Sequence, residues 1–297
     1  MKKSTVPEHV GSRVSAWGEG PVWWRDCLHY VDIKGGALIS WNPQTDAEEV
    51  FEVGQEVGFL LPCGSGAWVW GGEKGLYLLD SQTRASTLIA SPEADKPNNR
   101  FNDAGVSPDG RLFAGTIAMD KTTGAANLYR VDQNLRCEVA YPQVTNSNGI
   151  AWSPDGRVCY YIDTPTRKVL RFQYRGTTGA LEDPQVLLDT DPVIDASPDG
   201  MCVDAEGHLW IAFCHGGCVI RFDHVSGREL QRIEFPCVET TSCCFGGPDL
   251  RDLYVTTGIH ANKTEAQAGK VFVVKDVGVG GLPQVPFGAD PSSAIEA

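Results

Sequence analysis

The chain has 297 residues, of which 42% are hydrophobic and 21% charged. These are the proportions of an ordinary globular protein, and they exclude collagen, low-complexity disorder and coiled coil. Against 25 Lys and Arg stand 38 Asp and Glu, a formal net charge of −13, which argues against a nucleic-acid-binding face and suits a site that attracts a cation.

From the N-terminus, Met-Lys-Lys-Ser-Thr-Val-Pro-Glu-His-Val is basic but has no apolar stretch to serve as a secretion signal. No run approaches the roughly 18–20 apolar residues of a membrane span. A cytoplasmic protein without membrane or nucleic-acid partners is expected. Strand-like runs then recur, rich in β-branched and aromatic residues, beginning at positions 27, 67, 111, 158, 208 and 252, with spacings of 40, 44, 47, 50 and 44. Five of the six follow a visible turn: Gly64-Ser-Gly66, Ser107-Pro-Asp-Gly110, Ser153-Pro-Asp-Gly156, Asp204-Ala-Glu-Gly207 and Gly246-Gly-Pro-Asp249. Pro presets φ in such turns and Gly supplies the positive φ.

A second strand follows several of these runs, as in Leu76-Tyr-Leu-Leu79, Leu128-Tyr-Arg-Val131, Val169-Leu-Arg-Phe172 and Val219-Ile-Arg-Phe222. Several short strands repeated every 40–50 residues are the signature of propeller blades. Amphipathic helix patterns are scarce, and Gly and Pro are spread rather than pooled in a linker. The reading is an all-β, six-bladed β-propeller, one domain over residues 1–297. A two-sheet sandwich would need fewer strands for this length. Ring closure is expected from pairing of Arg13-Val-Ser-Ala-Trp17 with Lys270-Val-Phe-Val-Val-Lys275, which removes two exposed sheet edges.

The ten cysteines are read as reduced thiols in apolar settings, none of them catalytic. Cys214-His215-Gly216-Gly217-Cys218 is the one cluster suggestive of zinc, but it lacks a second pair at zinc-site spacing. By linear spacing, the six histidines form no metal-binding group.

No nucleophile elbow, phosphate-binding loop, zinc-protease motif or EF-hand loop is present. What recurs is a polar residue in a glycine-rich or apolar setting, a few residues ahead of an inner strand. Examples are Gly18-Glu-Gly-Pro21, Asn98-Asn-Arg-Phe-Asn-Asp103, Asn146-Ser-Asn-Gly-Ile150 and Pro198-Asp-Gly-Met-Cys-Val203. Taken singly, Glu19 reads more readily as a solvated loop residue, and Asn148-Gly149 and Asp199-Gly200 as plain turns. Taken together, on loops that a propeller gathers about its axis, Glu19, Asn148 and Asp199 make an oxygen-ligand set for one divalent cation. Ca²⁺, Mg²⁺ and Mn²⁺ suit it, with Fe²⁺ and Zn²⁺ as alternatives.

Gly18-Glu-Gly-Pro-Val-Trp23, Asn99-Arg-Phe-Asn-Asp103, Ala114-Gly-Thr116, Ser147-Asn-Gly149, Tyr161-Ile-Asp163, the run from Pro198 to Gly207, and Thr240-Thr-Ser-Cys-Cys-Phe-Gly-Gly247 occur in an order that resembles the SMP-30/gluconolactonase family. The resemblance runs from about Glu19 to about Phe272. It implies a six-bladed propeller with one divalent metal in the axial channel, held by Glu19, Asn148 and Asp199. It also implies hydrolysis of a sugar lactone to its aldonic acid, with hydroxyl contacts from Arg100 and Asn102 and a further acidic contact at Asp120. By the same resemblance Asp199 is the proton acceptor and donor. Whether it or a cation-activated water takes the proton is left open, since a carboxylate bound to a metal is a weaker base. Two other functions stand beside this one: a regucalcin-like calcium-binding regulator without catalysis, and a metal-dependent hydrolase of phosphotriesters or other esters. Arg100 and Asn102 favour a polyol substrate.

Overall fold

The structure, a computed structural model, describes residues 6–260 and 264–288. The expectation of one domain over 1–297, and the start of the N-terminal segment read as lacking a secretion signal, thus extend to residues outside those described. The described residues form six four-stranded antiparallel sheets with no α-helix; the one helical turn is a short 3-10 segment, Thr164–Thr166. Among the described residues, no helix is long and apolar enough to cross a membrane.

The chain is therefore a six-bladed β-propeller. Its inner strands are Gly18–Trp24, Val57–Pro62, Asn99–Val106, Ser147–Trp152, Ser197–Val203 and Thr240–Gly246. Each touches the next around the axis, and the first touches the last. The six runs whose spacing marks the repeat are the second strands: Cys27–Asp32, Trp68–Gly72, Leu112–Ala118, Val158–Asp163, Leu209–Cys214 and Asp252–Thr257. The turns expected before them form. Gly110 has φ 83° and donates its N–H to Ser107 at 2.8 Å, and Gly156, with φ 69°, does the same to Ser153.

Ring closure uses the chain ends, but not the pair expected. Val271–Val274 pairs with Glu8–Val10, in register His9 with Phe272, and completes the sixth blade. The stretch 13–17 instead links blades, with the Ser15 N–H donating to Gly269 and Trp17 bridging Gly258. The reason is reach: 13–17 leads directly into the first inner strand, so only residues further upstream extend to the edge of the sixth sheet.

Apolar side chains of neighbouring sheets pack face to face. Trp210, Ala212 and Val219 of the fifth blade meet Leu253, Val255 and Phe272 of the sixth. Burying each large side chain of this kind contributes about 1.5–3 kcal/mol. The segment 277–288 crosses the end of the axis where the inner strands finish, bridging Asp204 through Gly281 and Cys63 through Phe287. The other end carries the site.

Candidate active site

Every inner strand carries a bulge against its second strand at the same level. The pairing slips between Glu19 and Val22, Val57 and Phe59, Phe101 and Ala104, Asn148 and Ile150, Pro198 and Met201, and Thr240 and Ser242. A bulge re-aims the side chain it contains. Glu19, Asn102, Asp103, Asn148 and Asp199 all sit at these slips. They are strand residues, not the loop residues that their Gly and Pro neighbours suggested. The glycines serve close approach instead: a Cβ on Gly149 would lie 2.6 Å from Cβ of Met201, and one on Gly200 would overlap Ser242 of the next inner strand.

The inner strands open into a cavity of about 450 Å³ lined by Glu19, Glu56, Arg100, Asn102, Lys121, Asn146, Asn148, Thr164, Asp199, Cys214 and His215, with Trp17 and Met119 among its apolar walls. Five of the six residues expected at the site thus line one cavity. Asp120 does not; it is exposed, accepting from the Thr122 N–H at 3.0 Å, while its neighbours Met119 and Lys121 face the cavity. Asp103 lies behind the bulges and lines a second cavity, of about 350 Å³, toward the closed end.

The carboxyls are buried: Glu19 is 5% exposed, Asp199 7% and Asp103 9%. Burial, then Asp199 and Asp103, raise the Glu19 carboxyl well above its ordinary value. Asp199 is pushed up to about 7, by burial first and then by Asp103 and Glu239; the Cys214 thiol, donating to its Oδ2 at 2.7 Å, and Lys121 oppose this. Burial raises Asp103 to about 6. A cation bound among these three buried acids would offset the cost of ionising them.

The amide of Asn148 is oriented by its surroundings. Its Nδ2 donates to Thr164 Oγ1 at 2.7 Å, and Thr164 Oγ1 donates to the Pro198 carbonyl at 2.9 Å. That fixes Oδ1 as the acceptor end, where Asn102 Nδ2 donates at 3.1 Å. Asn102 Nδ2 also reaches the Ser147 carbonyl at 2.8 Å, and its Oδ1 accepts from Arg100 Nη1 at 2.7 Å. Arg100 Nε donates to Glu56 at 2.9 Å. Two carboxylates and a correctly turned amide oxygen lining one cavity are a donor set whose chemistry fits a hard divalent cation.

Several side chains escaped the sequence. Asp103 stood within a quoted motif without a role; its adjacency to Asn102 was the available signal. Cys214, grouped with the apolar thiols, instead faces Asp199, where burial and that carboxylate raise its thiol further. All ten cysteines are free thiols. The histidines do form a group: His215 and His260, distant in sequence, meet at Glu239.

Residues 17–259 match the SMP-30/Gluconolactonase/LRE-like region. Regucalcin of Danio rerio is 38% identical over 279 residues, covering 91% of this chain and 94% of its own length. Among solved structures, a luciferin-regenerating enzyme has a TM-score of 0.88 at 28% identity and covers 95% of this chain and 99% of its own. A calcium-binding regucalcin from Agrobacterium tumefaciens has a TM-score of 0.87 at 28% identity, covering 93% and 95%.

Proposed function

Because the chain belongs to the SMP-30/gluconolactonase family, we propose that it is a lactonase that hydrolyses a sugar lactone to its aldonic acid with one divalent cation held by Glu19, Asn148 and Asp199. The observation that carries this reading is the convergence of buried carboxyls with the oriented Asn148 amide on a cavity whose wall also presents Arg100 and Asn102. When bound, a divalent cation supplies Lewis-acid polarisation of an ester carbonyl.

The chain's own residues supply the rest. The Cys214 thiol donates to Asp199 Oδ2 at 2.7 Å and fixes the carboxylate; on this reading Asp199 takes a proton from the attacking water and returns it to the departing ring oxygen, which becomes a hydroxyl of the aldonic acid. Asn102 is locked on three sides, and its Oδ1 keeps a second lone pair for a substrate hydroxyl. Arg100 is anchored through Nε by Glu56, so its guanidinium edge donates to hydroxyls in a fixed plane and takes no part as a base. On this reading the contact expected at Asp120 passes to Lys121, whose ammonium at the cavity also attracts the carboxylate that ring opening creates.

A purely ion-binding protein has no need of the 450 Å³ space or of the Arg100–Asn102 wall, and that favours an enzyme over a calcium-binding regulator. The test is proton release from a panel of five- and six-carbon aldonolactones. Chelator-stripped protein receives Ca²⁺, Mg²⁺, Mn²⁺, Fe²⁺ or Zn²⁺ in turn, and spontaneous hydrolysis is subtracted. Cation-dependent turnover of at least one lactone is expected. Cation binding without turnover on any of them would replace the lactonase with the regulator.

A further inference from the structure

Beside the mouth of the cavity, three blade connections bring two imidazoles and a carboxylate together. His215 follows the second strand of the fifth blade, Glu239 precedes the inner strand of the sixth, and His260 follows the second strand of the sixth. His215 Nδ1 lies 2.9 Å from Glu239 Oε1, and His260 Nε2 lies 3.7 Å from the same oxygen. The three ligand atoms all fall within 4.8 Å of one another. Bonds of about 2.0–2.1 Å around a tetrahedral ion hold ligand atoms about 3.3–3.4 Å apart, so side-chain adjustments of about 1 Å would seat one.

The backbone is committed to this arrangement. His215 adopts φ 68°, a left-handed conformation that is costly for a residue with a Cβ. It is held there by Glu239, whose Oε2 accepts the His215 N–H at 3.0 Å while Oε1 faces its ring. Glu239 is fully buried and the two rings are not; their side chains are 55% and 29% exposed. A buried carboxylate thus forms the floor, two imidazoles the rim, and the remaining coordination position opens toward solvent and the cavity that His215 lines.

We propose that His215, Glu239 and His260 form a second cation site, separate from the oxygen-lined one on the axis. Two imidazole nitrogens and one carboxylate select borderline first-row divalent ions such as Zn²⁺ or Co²⁺ over Ca²⁺, which takes oxygen ligands. Three protein ligands leave a position for water or for an anionic group entering the cavity. The bound ion would also clamp the fifth blade to the sixth.

The experiment is a Co²⁺ titration of the chelator-stripped full chain in excess Ca²⁺, followed by visible absorption, for the wild type and for His215→Gln and His260→Gln. Both rings are partly exposed, so both variants keep the fold, checked by circular dichroism. The expected result is one Co²⁺ per chain that Ca²⁺ does not displace, with affinity at least about tenfold weaker in each variant. Crystals soaked in Zn²⁺ should show an anomalous peak between the two rings. No Co²⁺ signal, a signal that Ca²⁺ removes, a thiolate charge-transfer spectrum, or unchanged affinity in His260→Gln would each overturn the proposal. The axial site is read separately, by Ca²⁺ binding, so its failure does not mimic this one.

Discussion

Replacing Asp199 by Asn is expected to move stability and activity in opposite directions. The amide keeps the shape of the carboxylate and an oxygen to accept the Cys214 thiol, now 2.7 Å from Oδ2, so the packing is preserved. It carries no charge and takes no proton. In chelator-stripped protein, burial and the neighbouring Asp103 lift Asp199 from 3.8 to about 7. A carboxyl raised in this way costs nothing below its unfolded value, where both states are protonated. It imposes its full penalty above the folded value, and the shift corresponds to about 4 kcal/mol. Stripped wild-type protein should therefore lose stability as pH rises from about 4 to about 7, and Asp199→Asn should lack that share of the loss. At pH 8 its urea midpoint, followed by tryptophan fluorescence, should lie higher by roughly 1 M. With saturating cation, the same variant should lose about 10²–10⁴ in kcat for lactone opening, the usual contribution of a positioned proton acceptor. Wild-type turnover at saturating cation would remove Asp199 from that role. A stripped variant no more stable than the wild type at pH 8 would refute the penalty of burying the Asp199 carboxylate.

Glu19→Gln keeps an oxygen at the axis but removes a charge, and calorimetric titration should show Ca²⁺ binding at least about tenfold weaker; unchanged affinity would exclude Glu19 as a ligand. His29, whose Nε2 lies 3.2 Å from the Trp24 carbonyl and whose ring packs on Trp68, is lowered by burial from 6.5 to about 4. The folded state thus resists protonation that the unfolded chain accepts, and about 3 kcal/mol of stability should vanish as pH falls through that window. His29→Phe should abolish that part of the acid sensitivity, and an unchanged slope in pH-dependent urea unfolding would contradict it. Asp204 is fully buried and takes Arg221 Nε at 2.7 Å and Trp210 Nε1 at 2.9 Å. Asp204→Ala strands both donors and should cost about 3–5 kcal/mol by urea unfolding, and a loss below about 1 kcal/mol would show that water replaces the carboxylate.

Much of the ring was legible in the chain because its determinants are local. A turn such as Ser107-Pro-Asp-Gly110 needs only its own four residues, and the β-branched and aromatic content of a strand such as Val158–Asp163 is written in adjacent positions. Repetition of these units therefore established six blades and the all-β architecture. Glu19, Asn148 and Asp199 were visible as acids and amides out of place in apolar and glycine-rich runs. Their position on strands was hidden, because the bulges fall at the site and bring Gly and Pro neighbours that read as turns.

The sequence by itself determined the repeat and the class of fold, since each follows from residues near one another in the chain. Tertiary structure alone decided what ring closure brings together. It set Glu8–Val10 rather than 13–17 as the closing partner of Val271–Val274, turned Lys121 into the cavity and Asp120 out of it, aimed Cys214 at Asp199, and gathered His215, Glu239 and His260 from three connections. Contacts between blades depend on the radius and closure of the ring. No local pattern carries that information, because residues that meet across the axis are separated by whole repeats.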